Sequence, residues 1–144
     1  MSNFDDPADP PGDWQRGHVQ QYVSSGGTEG HVWQGVPTLL LTTLGRQSGK
    51  ARRTPLIYGQ DGEHYLVVAS KGGADQHPAW YLNLSADPRV RLQVGAEEFD
   101  AVAHTAQPDE KAKLWPVMAA IWPDYNNYQT KTEREIPLVV LTRS

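Results

Sequence analysis

The chain contains no cysteine among its 144 residues, which excludes disulfides and any zinc or iron–sulfur site built on thiolates. No apolar run approaches the roughly 18 residues of a membrane-spanning helix, so we expect no spanning helix. The net charge of −4 at pH 7 argues against a general nucleic-acid binder, because such proteins are usually basic.

The first twelve residues are acidic and rich in proline. They have neither the basic start nor the apolar stretch of a secretory signal. We therefore predict a disordered lead over residues 1–12, a single domain over residues 13–144, and a cytoplasmic location. The acidic lead also predicts weak attraction to an anionic membrane surface, so any peripheral membrane contact would be weak.

Short β-branched and apolar segments separated by glycine-bearing turns dominate the middle of the chain. Helical periodicity follows Asp13, a predicted cap, and Pro78 and Pro108 each predict a helix start, with a kink at Pro116. Strands joined by such short turns indicate a mainly β, α+β fold, an antiparallel barrel with flanking helices, rather than a βαβ sheet. The predicted strands are residues 38–44, 53–58, 64–70, 89–94, 98–105 and 137–142.

The cations of this acidic chain are concentrated at two bends. No acidic residue occurs over residues 30–60, and Gly45 and Gly49 let the backbone approach an anion there. The string Lys71-Gly72-Gly73 is a second cationic, glycine-rich element just before a predicted helix start, which itself favours anions. We predict an anion site at these bends, with a solvated hairpin tip as the alternative. The cations of the first bend are Arg46, Lys50, Arg52 and Arg53.

Several other chemistries lack the residues they need. The segment 45–50 is one residue short of a nucleotide P-loop, and Ala51 stands where a hydroxyl should bind magnesium. Ser48 and Ser70 lack the setting of a nucleophilic serine. The histidines at positions 18, 31, 64, 77 and 104 have no metal-ligand spacing, so no metal site is predicted.

Three aromatic residues recur at three-residue spacing near the carboxyl end, namely Trp122, Tyr125 and Tyr128. In a helix they would share one face. For Trp122, plain core packing is an equal alternative. The two tyrosines lie among Asn, Gln and Asp, which suits a wall that stacks a planar ligand and donates a hydrogen bond.

Three linked strings resemble the deazaflavin (F420)-dependent nitroreductase family. They are LTTLGRQSG at 41–49, ASKGGA at 69–74 followed by PAWYLNL at 78–84, and the two tyrosines followed by IPLVV at 136–140. The resemblance implies a split β-barrel of the FMN-binding type and coenzyme F420, an 8-hydroxy-5-deazaflavin with a phosphate and an oligoglutamate tail. It also implies hydride transfer from reduced deazaflavin to a planar acceptor such as a quinone, with a nitroreductase side activity, in a family found mainly in actinobacteria.

The same resemblance implies roles for individual residues. Gln47 stands where relatives often carry a basic residue, so either the tail is held more weakly or Lys50 and Arg53 substitute. Trp122 replaces a tyrosine of some relatives, which implies a bulkier and less polar acceptor pocket that disfavours nitroimidazole reduction. Implied proton donors or oxyanion partners are Tyr125, Tyr128 and Ser70, and implied acceptor contacts are Tyr58 and Trp122. Implied cofactor contacts are Arg46, Ser48, Gly49, Lys50, Arg52, Pro55, Lys71, Gly72, Gly73, Ala74, Trp80 and Asn83.

Three rival functions fit the same residues. A split-barrel reductase that uses FMN would need the same phosphate grip, and a non-catalytic protein that binds F420 or a lipophilic molecule would show no turnover. The third is a barrel whose partner is another protein. The motif order favours the deazaflavin. The sequence leaves open whether the chain is a monomer or a homodimer, and it does not identify the natural acceptor.

Overall fold

The computed structural model describes residues 4–144, which form eight strands and four α-helices. The helices are α1 (Asp13–Ser24), α2 (Ala79–Ala86), α3 (Pro108–Ile121) and α4 (Asp124–Thr130), and a single 3-10 turn covers Lys71–Gly73. The strands are β1 (Val32–Trp33), β2 (Val36–Leu44), β3 (Ala51–Ile57), β4 (Gly59–Asp61), β5 (His64–Val68), β6 (Arg89–Val94), β7 (Glu97–Thr105) and β8 (Leu138–Arg143).

All eight strands join one antiparallel sheet that curls into a half-barrel, as the sequence predicts. Its order is β1-β2-β6-β7-β8-β5-β4, and β3 pairs along β2 from Leu44 to Thr38. The short turns predicted at Gly62 and Gly95 join β4 to β5 and β6 to β7. These tight connections force neighbouring strands to run antiparallel, so the fold is a split β-barrel rather than a βαβ sheet.

The strand β2 is buried along almost its whole length because it is covered on both faces. Leu39 and Leu41 point into the core inside the curl, where they meet Leu92 and Leu141. Leu40 points to the other face and packs against α1. Each such leucine contributes roughly 1.5–3 kcal/mol by leaving water, so β2 fixes the position of α1 as well as the barrel.

A second core joins α3 and α4 to the β5–β8 edge of the sheet. Met118 of α3 and Tyr125 of α4 are buried there with Ile136 and Leu138. The kink predicted at Pro116 does not divide α3, which is one element from Pro108 to Ile121. The carbonyl that Pro116 leaves without a donor belongs to exposed Ala112, where water can bond to it, so the proline is tolerated.

Tyr22 anchors α1 to the sheet. Its hydroxyl donates to the carbonyl of Thr38 at 3.0 Å and accepts from the amide of Gly95 at 2.7 Å. Burial raises the pKa of Tyr22 to about 12, so the hydroxyl stays protonated. Asp13, predicted as the cap of α1, is instead its first helical residue, with Gly12 in the cap position.

Residues 4–11 contact β3, which differs from the disordered lead predicted over residues 1–12. The amide of Ala8 donates to the carbonyl of Ala51, and the amide of Arg53 donates to the carbonyl of Ala8, both at 2.9 Å. Phe4 is buried against Leu44 and Ala51. Composition indicates solvation here, but the exposed edge of β3 offers unpaired backbone groups that the lead satisfies. Residues 1–3 of the predicted lead lie outside the described part of the chain.

Within residues 4–144, no helix combines the length and apolarity required to cross a membrane.

Candidate cofactor and acceptor site

A cavity of about 440 Å³ opens between β3, the loop after β5, and α1, α2 and α4. Its size falls in the range of roughly 300–1,000 Å³ that is usual for small-molecule sites. A pocket of about 190 Å³ shares Thr54 and Trp80 with this cavity. A third pocket, of about 170 Å³, shares Arg52, Ala79 and Asn83 with the second. We call these the main cavity, the middle pocket and the turn pocket, and we refer to the three together as the groove, because each shares lining residues with the next.

The turn pocket is built on the basic turn, residues 45–50. The turn is closed by two backbone hydrogen bonds of 2.8 Å, from Gly45 to the carbonyl of Lys50 and from Gly49 to that of Gly45. Asn83 of α2 is buried, and its Oδ1 accepts from the backbone amide of Arg46 at 3.2 Å and from Nη1 at 3.0 Å. Asn83 therefore holds the predicted anion-binding arginine against α2.

The four cations around the basic turn differ in their partners. Arg46 and Arg52 line the turn pocket, and neither forms an ion pair within residues 4–144. Lys50 is exposed and lies outside the described lining of the groove. Arg53 lines the middle pocket beside Arg52, together with Asp9, whose Oδ1 accepts from Nη2 at 2.7 Å. The guanidinium of Arg53, which was predicted to take the place of the basic residue missing at Gln47, is therefore already paired with Asp9.

The second predicted element, the Ser70–Ala74 loop, has an unusual backbone. Three successive residues have positive φ: Lys71 at 46°, Gly72 at 64° and Gly73 at 86°. A non-glycine residue in that region is disfavoured by roughly 1–2 kcal/mol, so the fold must hold Lys71 there. Ser70, Lys71 and Gly72 line the main cavity, whereas buried Gly73 packs against the backbone of Tyr128.

Arg134 supports this loop from behind, and no sequence motif singles it out. Its guanidinium donates to the carbonyls of Ala74 at 2.7 Å, Ser70 at 2.8 Å and Ala69 at 3.3 Å. Nη1 also donates to Nδ1 of His77 at 3.1 Å. Burial and this neighbouring cation lower the pKa of His77. A lone arginine between a helix and a strand carries no spacing signal, so only the fold identifies its partners.

The predicted catalytic side chains meet in the main cavity. Ser70, Tyr125 and Tyr128 all line it, together with Trp122. Trp122 Nε1 donates to the hydroxyl oxygen of Tyr128 at 3.3 Å, which leaves the proton of that hydroxyl free for another partner. Burial raises the pKa of Tyr125, so its hydroxyl remains a donor at neutral pH.

Four indoles line the main cavity, and two of them, Trp14 and Trp33, are not among the predicted site residues. Trp33 lies between Trp14 and Trp122, with ring centroids 5.5 Å from each. His18 of α1 also lines the cavity, and its Nε2 donates to the carbonyl of Gly30 at 2.7 Å. The four-residue spacing of Trp14 and His18 on one helix face was the available signal, since such a face must lie against something.

The other predicted residues divide between the groove and its supports. Pro55 lines the main cavity, and Trp80 lines both the main cavity and the middle pocket. Ser48 lines the turn pocket, whereas Gly49, Gly73 and Ala74 lie outside the described lining. Tyr58, predicted as an acceptor contact, is also outside it: its ring is buried in the core, and its hydroxyl lies 2.9 Å from Nε2 of His31.

The fold places the chain in the split β-barrel class. The family model described as F420H(2)-dependent quinone reductase matches residues 14–143, and the chain belongs to that family. A protein of Mycobacterium tuberculosis named F420H(2)-dependent quinone reductase is 43% identical over 130 residues, which make up 88% of this chain and 87% of that protein.

Solved structures agree with this relationship. One described as an F420-H2 dependent reductase is 40% identical, with a TM-score of 0.68 over 73% of this chain and 93% of that one. Another, described as a domain-swapped dimer, is 37% identical, with a TM-score of 0.71 over 92% of this chain and 99% of that one.

Proposed function

We propose that this protein is an F420-dependent oxidoreductase that transfers a hydride from reduced deazaflavin to a quinone. The observation that carries the proposal is the groove, in which the aromatic main cavity neighbours, through the residues of the middle pocket, a turn pocket lined by Arg46 and Arg52, neither of which is ion-paired among the described residues. A planar ring system with an anionic tail fits such a groove, because the ring needs apolar walls and the tail needs positive charge. Relatives with that named activity span nearly the whole chain.

The anionic part of the cofactor would be held at two points. Arg46 and Arg52 line the turn pocket, and Lys71 lines the main cavity. No described carboxylate neutralises the positive charge of any of these three side chains. The backbone amides of Lys71 and Gly72 have no protein acceptor among the described residues. Such amides in a left-handed bend form a concave site for phosphate oxygens. FMN has the phosphate but lacks the tail, so it would use only part of these contacts.

Tyr125, Tyr128 and Ser70 would supply the protonation chemistry. When bound, reduced deazaflavin supplies a hydride, and a quinone that accepts it requires one further proton to become the quinol. The raised pKa of Tyr125 and the indole that donates to Tyr128 keep two hydroxyl protons at the cavity wall. A preorganised donor of this kind stabilises developing oxyanion charge by about 3 kcal/mol.

The tryptophan side chains that line the main cavity favour a flat, apolar acceptor. Trp33 and Trp122 offer stacking surface for a quinone, whose ring has no net charge and loses little solvation on burial. A nitroaromatic acceptor would stack equally well but presents a more polar group to the indoles. We therefore propose quinone reduction as the main activity and nitroaromatic reduction as a slower side activity.

The direct test mixes the purified protein with reduced F420 and follows the return of deazaflavin absorbance as menadione is added. Oxidation that scales with enzyme concentration is the expected result. Tight F420 binding without turnover on any quinone would instead assign a binding protein. In a parallel titration, FMN binding that is tighter than F420 binding would contradict the deazaflavin assignment.

A further inference from the structure

The Ser70–Ala74 loop and Arg134 form a unit that is held together by hydrogen bonds to backbone carbonyls. The amides of Gly73 and Ala74 donate to the carbonyls of Ser70 and Lys71, at 2.9 Å and 3.2 Å. The guanidinium of Arg134 donates hydrogen bonds to the carbonyls of Ser70 and Ala74. The remaining amides of the loop are those of Lys71 and Gly72, and both of these residues line the main cavity.

Arg134 is itself held in place by the chain around it. Gln129 of α4 donates from Nε2 to the carbonyl of Arg134 at 2.8 Å and accepts from the amide of Ile136 at 2.9 Å. Its two acidic neighbours do not neutralise it: within residues 4–144 no carboxylate lies within ion-pair distance of its guanidinium, and Glu135 pairs with Lys111 instead. The charge of Arg134 therefore stays uncompensated behind the loop.

A strained loop needs an external support. Lys71 at a φ of 46° would relax toward negative φ if nothing held it, and relaxation would change the direction of the peptide groups that flank it. The planar guanidinium, with donors in a fixed fork, can bond several divergent carbonyls at once. Gly73 adds a second restraint, because it packs directly on the backbone of Tyr128.

We propose that Arg134 is a positioning residue, which keeps the amides of Lys71 and Gly72 aimed at the anionic group of the cofactor and adds its own unpaired charge behind them. This inference rests on the proposed function for the identity of the ligand. Its geometric part, the support of the loop, can be tested without any ligand.

The ligand-free test measures hydrogen exchange of the Gly73 and Ala74 amides in the wild type, Arg134→Ala and Arg134→Lys. We expect these amides to lose protection in both variants, while amides of β7 keep theirs. Arg89→Ala is the matched control, because it removes an exposed guanidinium paired with Asp87 and should leave the loop unchanged. Unaltered protection in both Arg134 variants would overturn the proposal.

The second test measures the dissociation constant of F420 for the same proteins. Arg134→Ala should bind at least about tenfold more weakly, as expected for loss of charged hydrogen bonds. Arg134→Lys should recover little of this, because a point charge cannot bond three carbonyls. Free guanidinium, far below denaturing concentrations, should restore binding to Arg134→Ala but not to Arg134→Lys.

The outcomes separate the two proposals. Full affinity in Arg134→Lys would show that only charge matters and would refute the positioning role. Failure of the wild type to bind F420 would refute the proposed function, while the exchange experiment still decides the role of Arg134. If Arg134→Ala does not fold, Arg134→Lys and Arg134→Gln carry the same measurements.

Discussion

The basic turn and the Ser70–Ala74 loop have similar compositions, each combining glycines with cations, yet their surroundings differ. The basic turn is exposed, and a pair of hydrogen bonds from Arg46 to Asn83 connects it to α2. The Ser70–Ala74 loop is fixed from behind by Arg134 and packs on α4 through Gly73. The difference indicates a division of labour, in which the turn supplies charge and the loop supplies geometry next to the tyrosines.

Replacing one glycine in each element should give the largest contrast. A Cβ on Gly73 would lie 2.8 Å from the backbone oxygen of Tyr128, whereas a Cβ on Gly49 meets nothing within 4 Å. Both glycines have positive φ, so each alanine is strained, but only Gly73→Ala adds a backbone clash. We expect the free energy of unfolding to fall by about 3 kcal/mol for Gly73→Ala and about 1 kcal/mol for Gly49→Ala. Urea unfolding measures both, and equal losses would contradict the contrast.

Removing the hydroxyl of Tyr128 should affect turnover and not cofactor binding. Tyr128→Phe keeps the aromatic ring at the cavity wall but removes the donor, so we expect kcat with menadione to fall about 100-fold. Cofactor affinity should stay within about twofold, since no charged contact changes. Tyr81→Phe is a suitable control, because that hydroxyl bonds Thr105 on an exposed surface. An equal loss of kcat and cofactor affinity would move Tyr128 to the cofactor-binding side.

Arg46→Ala should produce the opposite pattern in the basic turn. We expect the dissociation constant of F420 to rise about tenfold at low salt, with kcat at saturation nearly unchanged. The loss should shrink as salt is added, because an exposed charge is screened. Titrations at two ionic strengths check this, with Arg53→Ala as the comparison, since its guanidinium is already paired with Asp9. A loss independent of salt would indicate that Arg46 acts through Asn83 rather than through charge.

The smallest predicted effect is a pH dependence that originates at His77. Its pKa in the folded protein is lowered from the ordinary 6.5, first by burial and then by Arg134. The unfolded chain therefore takes up this proton at higher pH than the folded one, so the stabilisation is complete above about 6.5 and is lost as pH falls through that value. His77→Gln keeps an acceptor for Arg134 and should flatten this slope between about pH 8 and about pH 5.5. Urea midpoints that run parallel in both proteins would exclude His77 as the source.

Local sequence patterns predicted much of the fold. Alternation over residues 89–94, the glycine turns at positions 62 and 95, and the proline before α2 all correspond to elements that the structure contains. These signals are local, since they depend on side-chain period and on φ. The effect of Pro116 on α3 was harder to predict, because a helix tolerates an internal proline only where the carbonyl that loses its donor is exposed.

The candidate site was predictable where its residues lie in strings. Arg46, Lys71 and Tyr128 each belong to a recognisable segment, and the structure brings the segments of all three to one groove. Trp33 and Arg134 lie outside those segments and contact the site from elsewhere in the chain. Tyr58 is the opposite case: it lies close to a segment that resembles the family and was predicted to contact the acceptor, but its ring is buried in the core.

The sequence by itself determined the antiparallel pattern, the family and the places where cations and glycines accumulate, because each is written in neighbouring residues. Only the tertiary structure decided which cation is free. Arg52 and Arg53 are adjacent in sequence and both line the groove, yet the path of residues 4–11 pairs Arg53 with Asp9 and leaves Arg52 without an ion pair among residues 4–144. Charge compensation depends on distance in space, which composition does not encode.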